Sequence, residues 1–204
     1  MRLLRAGRFL IGAAPAPRRR APPAPTARER WLRRRVRLAL PLMFVYAWLA
    51  APTPRALALG AGIAALGLLV RGAAASHLPK HAALATGGPY ALTRHPLYLG
   101  SAFMAAGFLV AAHSWTAGIL GVAYLALFYP AAIEREERKL RRRYGSTFDD
   151  YAARVPRFWP RLSGLGRATF TSSWTLYRRN GEYQTVLGFV VVVTLLWLKM
   201  HELG

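Results

Sequence analysis

Apolar positions along this chain gather into five runs separated by charged or turn-forming stretches: residues 37–53 (RLALPLMFVYAWLAAPT), 56–75, 97–112, 115–133 and 183–200 (YQTVLGFVVVVTLLWLKM). Each is close to the roughly 17–25 residues that an α-helix needs to cross a bilayer. The pattern therefore predicts an all-α fold, a multi-pass integral membrane helical bundle with about five transmembrane helices. The first, third and fourth runs are short, so tilted or partly re-entrant helices also satisfy it. No period of 20–50 residues recurs, which excludes a solenoid or repeat array.

The segments between the runs sharpen this picture. Gly87, Gly88 and Pro89 form a turn cluster that ends any helix continuing from the second run. Pro96 suits the first position of a helix, so the third helix is expected to start at Pro96-Leu97. The fourth is expected to continue past the apolar run through IEREERKLRRRYG and to stop at Gly145, with a kink at Tyr129-Pro130. Residues 1–36 mix Arg, Ala and Pro without periodicity and read as a disordered basic arm, leaving residues 37–204 as the membrane domain. FLIGAA within the arm is too short for a signal peptide, whereas a cleaved Arg-rich transit segment also suits the composition.

Charge then orients the bundle. The chain has 204 residues, 54% of them hydrophobic, and yet a formal net charge of +21. Twelve arginines lie in residues 1–37 and twelve more Lys or Arg between Arg135 and Arg179, while Arg71, Lys80 and Arg94 surround the second connection. Arg55 and Lys199 alone fall on the other side of a five-span arrangement. Cytoplasmic enrichment of Lys and Arg puts the N-terminus in the cytoplasm and the C-terminus on the opposite side. Cytoplasmic arginines beside spanning helices meet anionic lipid, which accounts for the excess charge without a nucleic-acid partner. The chain has no cysteine, which removes disulfides, zinc–thiolate clusters and thiol nucleophiles. Of the five histidines, His77 and His81 are spaced by four, but Leu78-Pro79 between them disfavours the helix that would align them, and no metal site is expected.

Candidate chemistry concentrates in GGPYALTRHPLYLGS, residues 87–101. A helix beginning at Pro96 directs free backbone N–H groups at Arg94 and His95, an arrangement suited to a carboxylate or phosphate. The alternative is that Arg94 meets lipid phosphate and His95 only caps the helix. Tyr90 and Tyr98 flank the site, either as interfacial anchors or as walls for a flat ring. In IEREERKLRRRYG, Glu134 has Arg138 and Glu137 has Arg141 four residues on, as surface pairs. Glu136 has Leu140 there and is the acid left for a ligand, with Lys139 a possible partner; a solvated, Arg-rich helix is the plainer reading. Together the two stretches put a cationic, ring-bearing site beside an acid, complementary to a zwitterionic aromatic molecule such as S-adenosylmethionine.

GPYALTRHPLYLG followed by EERKLRRRYGSTFDDYAARVPRFWP resembles the isoprenylcysteine carboxyl methyltransferase and phospholipid methyltransferase superfamily over about residues 77–160. The resemblance implies an S-adenosylmethionine site at the cytoplasmic membrane surface. It is lined by Tyr90, His95, Pro96, Leu97, Tyr98 and Glu136, with the segment 82–85, including Leu84 and Ala85, alongside, and with Gly88, Pro89, Arg94 and Glu137 in the same motifs. VPRFWP is similar to the family's closing segment, which folds back over the site. Prenylcysteine-methylating members carry an arginine four residues before the matched glutamate, where this chain has Ala132, a departure that argues against prenylcysteine itself; the acceptor is expected to be lipophilic, an isoprenoid or prenyl-carboxylate-like molecule or a lipid headgroup. His95 and Glu136 are the candidates for a catalytic base if the acceptor is a phenol or amine. The competing expectations are an NADPH-dependent membrane lipid reductase of related fold, and a non-catalytic protein that binds anionic lipid. Arg178, Arg179 and Asn180 suit either a substrate or an interfacial belt.

Overall fold

The computed structural model describes residues 38–39, 41–79, 83–167 and 172–203. The expected basic arm over residues 1–36, and Lys80, His81 and Ala82 with it, lie outside the described residues. Helices α1 (41–49), α2 (Pro54–Ala75), α3 (Pro96–Ala112), α4 (Trp115–Tyr144) and α7 (Tyr183–Leu203) fall on the five apolar runs, and α5 (Ser146–Arg154) and α6 (Trp174–Arg179) are short polar helices between α4 and α7. The described residues include no strand, so the fold is all-α. Three helices, α2, α4 and α7, are long and apolar enough to cross a membrane, while α3 is a shorter apolar helix of 17 residues.

Local chemistry sets the helix limits. The Thr53 side chain accepts from the Ala56 N–H at 3.3 Å, with Pro54 at the first helical position of α2. His113 takes the left-handed conformation, φ 48°, to close α3, and the Ser114 hydroxyl caps α4 by accepting from the Ala117 N–H at 3.4 Å. Helix α4 includes Pro130, where a kink was expected, as a continuous helix, and it ends at Tyr144 with Gly145, φ 55°, as its C-cap, the stop expected from the sequence. Helix α2 stops at Ala75, where its apolar run ends, and twelve residues later the Gly87-Gly88-Pro89 cluster opens a short 3-10 turn over Gly88–Ala91.

Helices α2 and α3 pack most extensively, through small residues. Gly60, Ala64 and Gly67 of α2 face Gly100, Met104, Gly107 and Ala111 of α3 so closely that a Cβ placed on Gly67 would lie 2.5 Å from the Gly100 carbonyl oxygen. Lipid tails are as apolar as leucine, so helices associate in a membrane through such close van der Waals contact rather than through expulsion of water. At one end of the bundle, Lys199 of α7 donates to the last carbonyls of α1, Ala47 and Trp48, both at 2.7 Å, and the Ala51 N–H donates to the Ala112 carbonyl. Leu59, Leu69, Ile119, Leu127 and Leu187 stay exposed on the outer faces, as a hydrocarbon solvent permits. The polar residues that concern function collect at the opposite end.

Candidate functional site

Helix α3 begins at Pro96 with His95 as its N-cap, and the chain leading into it is fixed by the segment after α5. The Arg94 N–H donates to the Pro156 carbonyl at 2.9 Å, the Arg161 N–H to the Leu92 carbonyl at 3.0 Å, and the buried Thr93 hydroxyl to the Phe158 carbonyl at 2.9 Å. Tyr151 of α5 donates its hydroxyl to the Tyr90 carbonyl at 2.8 Å. VPRFWP therefore does fold back along the Arg-His-Pro stretch, held by backbone bonds that its side-chain composition alone does not specify.

Glu137 is the hub beneath this crossing. Its Oε1 accepts from His95 Nε2 at 3.2 Å and lies 3.3 Å from Arg94 Nη2, and its Oε2 accepts from Arg157 Nη2 at 2.6 Å and Nε at 3.1 Å. The expected surface pair of Glu137 with Arg141 does not form: Arg141 bonds Asp149 at 2.6 Å because α5 turns back beside it at Gly145. Glu137 itself follows the buried Ala131-Ala132-Ile133 patch of α4 onto the inner face. The expected Glu134–Arg138 pair does form, at 3.5 Å on the surface. Burial pushes the His95 imidazole below its ordinary pKa, and the nearby carboxylates of Glu136 and Glu137 pull it only part of the way back. With Nε2 facing a carboxylate, the neutral ring is the tautomer protonated there.

Above this hub lies a cavity of about 270 Å³ lined by Arg71, Tyr90, Arg94, His95, Pro96, Leu97, Tyr98, Ser101 and Glu136. Tyr90, Arg94, His95, Pro96, Leu97, Tyr98 and Glu136 of the sequence-derived set thus line one cavity. Glu137 sits behind them as the residue that fixes His95 and Arg94, and Leu84, Ala85, Gly88 and Pro89 do not line the cavity. Gly88 serves the backbone instead: it has φ +55°, and a Cβ there would strike the His77 ring. The rings of His95, Tyr98 and Tyr129 form an edge-to-face row, with centroids 5.7 and 5.6 Å apart.

Electrostatically, the cavity lining carries both signs. The N-terminus of α3 and the guanidinium of Arg94, whose buried Nε has no hydrogen-bond partner, favour an anion. Glu136 supplies the acid on α4. A zwitterion carrying a ring would find its complement here, and a titratable acceptor would find both His95 and Glu136 in the lining.

Sequence reasoning missed Arg71, Ser101, Glu182 and Arg157. Arg71, near the end of α2, reaches the cavity while its Nε and Nη2 are held by Glu182 at 3.1 and 2.6 Å, and its Nη1 donates to Ser101. Glu182 is buried and immediately precedes α7. A single acid at the mouth of one apolar run and a single base near the mouth of another was the available signal, since both must be neutralised at the same depth. Asn180 donates to the Ala75 and Leu78 carbonyls at 2.8 and 3.0 Å, so it closes the end of α2 rather than facing the cavity.

Comparison with known proteins fits these features. Residues 55–147 match the phospholipid methyltransferase family. The nickel-cobalt-cadmium resistance protein NccN of Alcaligenes xylosoxydans xylosoxydans is 38% identical over 125 residues, covering 60% of this chain and 58% of that protein. The cobalt-zinc-cadmium resistance protein CzcN of Cupriavidus metallidurans is 39% identical over 118 residues, 56% of this chain and 53% of that protein. The chain thus spans somewhat more than half the length of these relatives, and no solved structure matches it significantly. The matched segment, which carries the α2–α3 hairpin, the Arg-His-Pro stretch and the Glu-Glu pair, is a phospholipid methyltransferase family segment, of the superfamily of integral membrane methyltransferases that includes the isoprenylcysteine carboxyl and phospholipid methyltransferases.

Proposed function

We propose that the cavity at the N-terminus of α3 binds S-adenosylmethionine and that the protein methylates a lipophilic acceptor reaching it from the bilayer. The observation that carries this reading is that one small cavity is lined both by anion-favouring groups, Arg94 and the start of α3, and by an acid, Glu136. The residues fit the group: Arg94 Nε and the first-turn N–H groups of α3 suit its carboxylate, Glu136 suits its ammonium or ribose donors, and Tyr90 and Tyr98 offer rings to its base. When bound, it supplies a methyl group on a cationic sulfur that a nucleophile displaces with its own electron pair, leaving a neutral thioether.

The chain's own residues hold the cavity wall in place. Glu137 fixes His95 and Arg94 from behind, and Thr93 and Glu137 bind the 155–161 segment against the Arg-His-Pro stretch, so the groups that face the cavity are held in one arrangement. An acceptor that is already anionic needs no base. A phenol or amine acceptor gives up its proton to Glu136 or to the neutral His95 ring, both of which face the cavity. The excess of basic residues at this end supports a cytoplasmic site in a bundle of five crossings with the C-terminus opposite, three of whose helices, α2, α4 and α7, are long and apolar enough to cross a membrane.

Titration of the detergent-purified protein with S-adenosylmethionine, followed by thermal unfolding, tests the reading. Stabilisation is expected, with at least tenfold weaker binding in Glu136→Ala and in His95→Ala. Stabilisation by NADPH and not by S-adenosylmethionine would replace it with the reductase reading. Indifference to both would leave a lipid-binding protein.

A further inference from the structure

The segment that follows α5 also lines another cavity, of about 720 Å³, which shares no lining residue with the first. Its polar lining comes from Arg154 at the end of α5, from Arg161 and Ser163 around the start of a 3-10 turn over Leu162–Arg167, and from Thr86 ahead of the turn over Gly88–Ala91. Stretches far apart in sequence thus converge on one hollow. Backbone contacts fix the convergence: the Arg161 N–H donates to the Leu92 carbonyl, and Gly164 lies so close to Ala91 that a Cβ on it would be 2.5 Å from the Ala91 carbonyl oxygen. Among the described residues no carboxylate lines this cavity, and neither Arg154 nor Arg161 pairs with one, whereas Arg94, Arg138, Arg141 and Arg157 each do.

A lone surface arginine is satisfied by water. Two on one hollow, with two hydroxyls and no acid, set up a positive field that a bound anion relieves. One guanidinium fork takes two oxygens at once, so a single fork satisfies a carboxylate. A phosphate monoester presents three terminal oxygens and close to two charges, enough for both forks and a hydroxyl. The volume falls within the roughly 300–1,000 Å³ of small-molecule pockets and exceeds what a bare phosphate ion fills, so the group arrives on a larger molecule.

One stretch of backbone joins the two cavities. Tyr90 and Arg94 line the first, and Ala91 lines the other. The Tyr90 carbonyl accepts from Tyr151 and the Arg94 N–H donates to the Pro156 carbonyl, and both Tyr151 and Pro156 line the other cavity. We propose that this cavity is an effector site that binds the phosphate group of a phosphate ester through Arg154, Arg161, Thr86 and Ser163, and that filling it tightens binding in the first cavity by holding residues 90–94 in place. The coupling rests on the cofactor reading above; the phosphate site does not. The full-length protein, in detergent, is titrated calorimetrically with glycerol 3-phosphate, glycerol, short-chain phosphatidic acid, diacylglycerol of the same chain length and inorganic phosphate, each with and without S-adenosylmethionine.

At least one ester is expected to bind more tightly than its unphosphorylated counterpart, and the tighter of the two identifies the source as a soluble ester or a lipid headgroup. Arg154→Gln/Arg161→Gln should weaken that binding about tenfold while keeping the wild type's thermal midpoint. Ser163→Ala removes no charge and should weaken it about threefold, which keeps the site testable if the double variant does not fold. Arg138→Gln/Arg142→Gln removes the same charge from α4 and should bind as the wild type does. Equal loss in both double variants would show a diffuse charge effect and overturn the site. Inorganic phosphate bound as tightly as both esters would identify a free-anion patch and overturn the ester. Saturating ester should tighten S-adenosylmethionine binding about fivefold in the wild type and leave Arg154→Gln/Arg161→Gln unchanged. An affinity indifferent to bound ester would overturn the coupling. Failure of S-adenosylmethionine to bind the wild type at all would instead defeat the cofactor reading, and the ester arms would still decide the phosphate site.

Discussion

Removing Glu182 should loosen the cavity from a residue that does not line it. The carboxylate is buried and receives two hydrogen bonds from Arg71, whose side chain is 21% exposed and lines the cavity. In Glu182→Ala the guanidinium keeps only the hydroxyls of Ser101 and of Thr185, the latter at 3.4 Å. Breaking a buried ion pair from one side costs about 3–5 kcal/mol. Arg71 retains some exposure and can turn toward water, so about 2–3 kcal/mol is the expected loss. At about 2–4 °C per kcal/mol for a chain of this size, the midpoint should fall by about 5–10 °C. The assay is thermal unfolding in one detergent for the wild type, Glu182→Ala, Arg71→Ala and the double variant. The double variant should be less destabilised than the sum of the singles, because it leaves no unpaired charge. S-adenosylmethionine affinity should fall in Glu182→Ala as Arg71 leaves its place. Additive losses, or a midpoint within a degree of the wild type, would show that the pair holds nothing together.

Gly107→Leu should prevent α2 and α3 from docking, since the Gly60 carbonyl and the Ala64 backbone occupy the space, whereas Gly118→Ala, with open space around it, should be neutral in the same size-exclusion and unfolding tests. Lowering the pH should destabilise the protein through His95. Its folded pKa lies below its unfolded value of about 6.5, so the unfolded chain binds the proton first; stability is full above that value and declines as pH falls from it toward the folded pKa. His95→Gln should flatten the midpoint-against-pH curve in that window, and an unchanged slope would refute the assignment. Gly88→Ala should lower the midpoint because its φ of +55° and the His77 ring both oppose a side chain, and a midpoint equal to the wild type's would refute this.

Helices were legible wherever one physical cause acted alone. Pro96 and Gly145 fix helix limits through their own backbone constraints, and these stood where expected. The Gly87-Gly88-Pro89 cluster marks a turn, but it was the end of the apolar run at residue 75 that located the end of α2. Surface pairing of Glu134 with Arg138 followed from spacing, but the same rule failed for Glu137: an i,i+4 rule assumes an exposed face, and α5 and the 155–161 segment bury this one. Which of two adjacent glutamates faces the cavity and which holds its wall depends on helix rotation against a segment twenty residues away, information that local spacing does not contain.

The site is also less local than its motif. Arg94 and His95 are set by Glu137, Glu137 is bound by Arg157, and Arg71 is bound by Glu182; both Arg157 and Glu182 lie beyond the matched span of residues 55–147. The motif therefore carries the groups that face the cavity, and the later segments carry the charges that make burying them tolerable. Four cationic or imidazole side chains around one end of a membrane bundle would repel one another and expel the helix ends toward water. Two carboxylates placed from different parts of the chain let them stay. Substitutions at Arg157 or Glu182 are thus expected to alter cavity binding through position alone, and restoration by Arg157→Lys of stability but not of affinity would separate charge balance from the forked geometry that arginine gives Glu137.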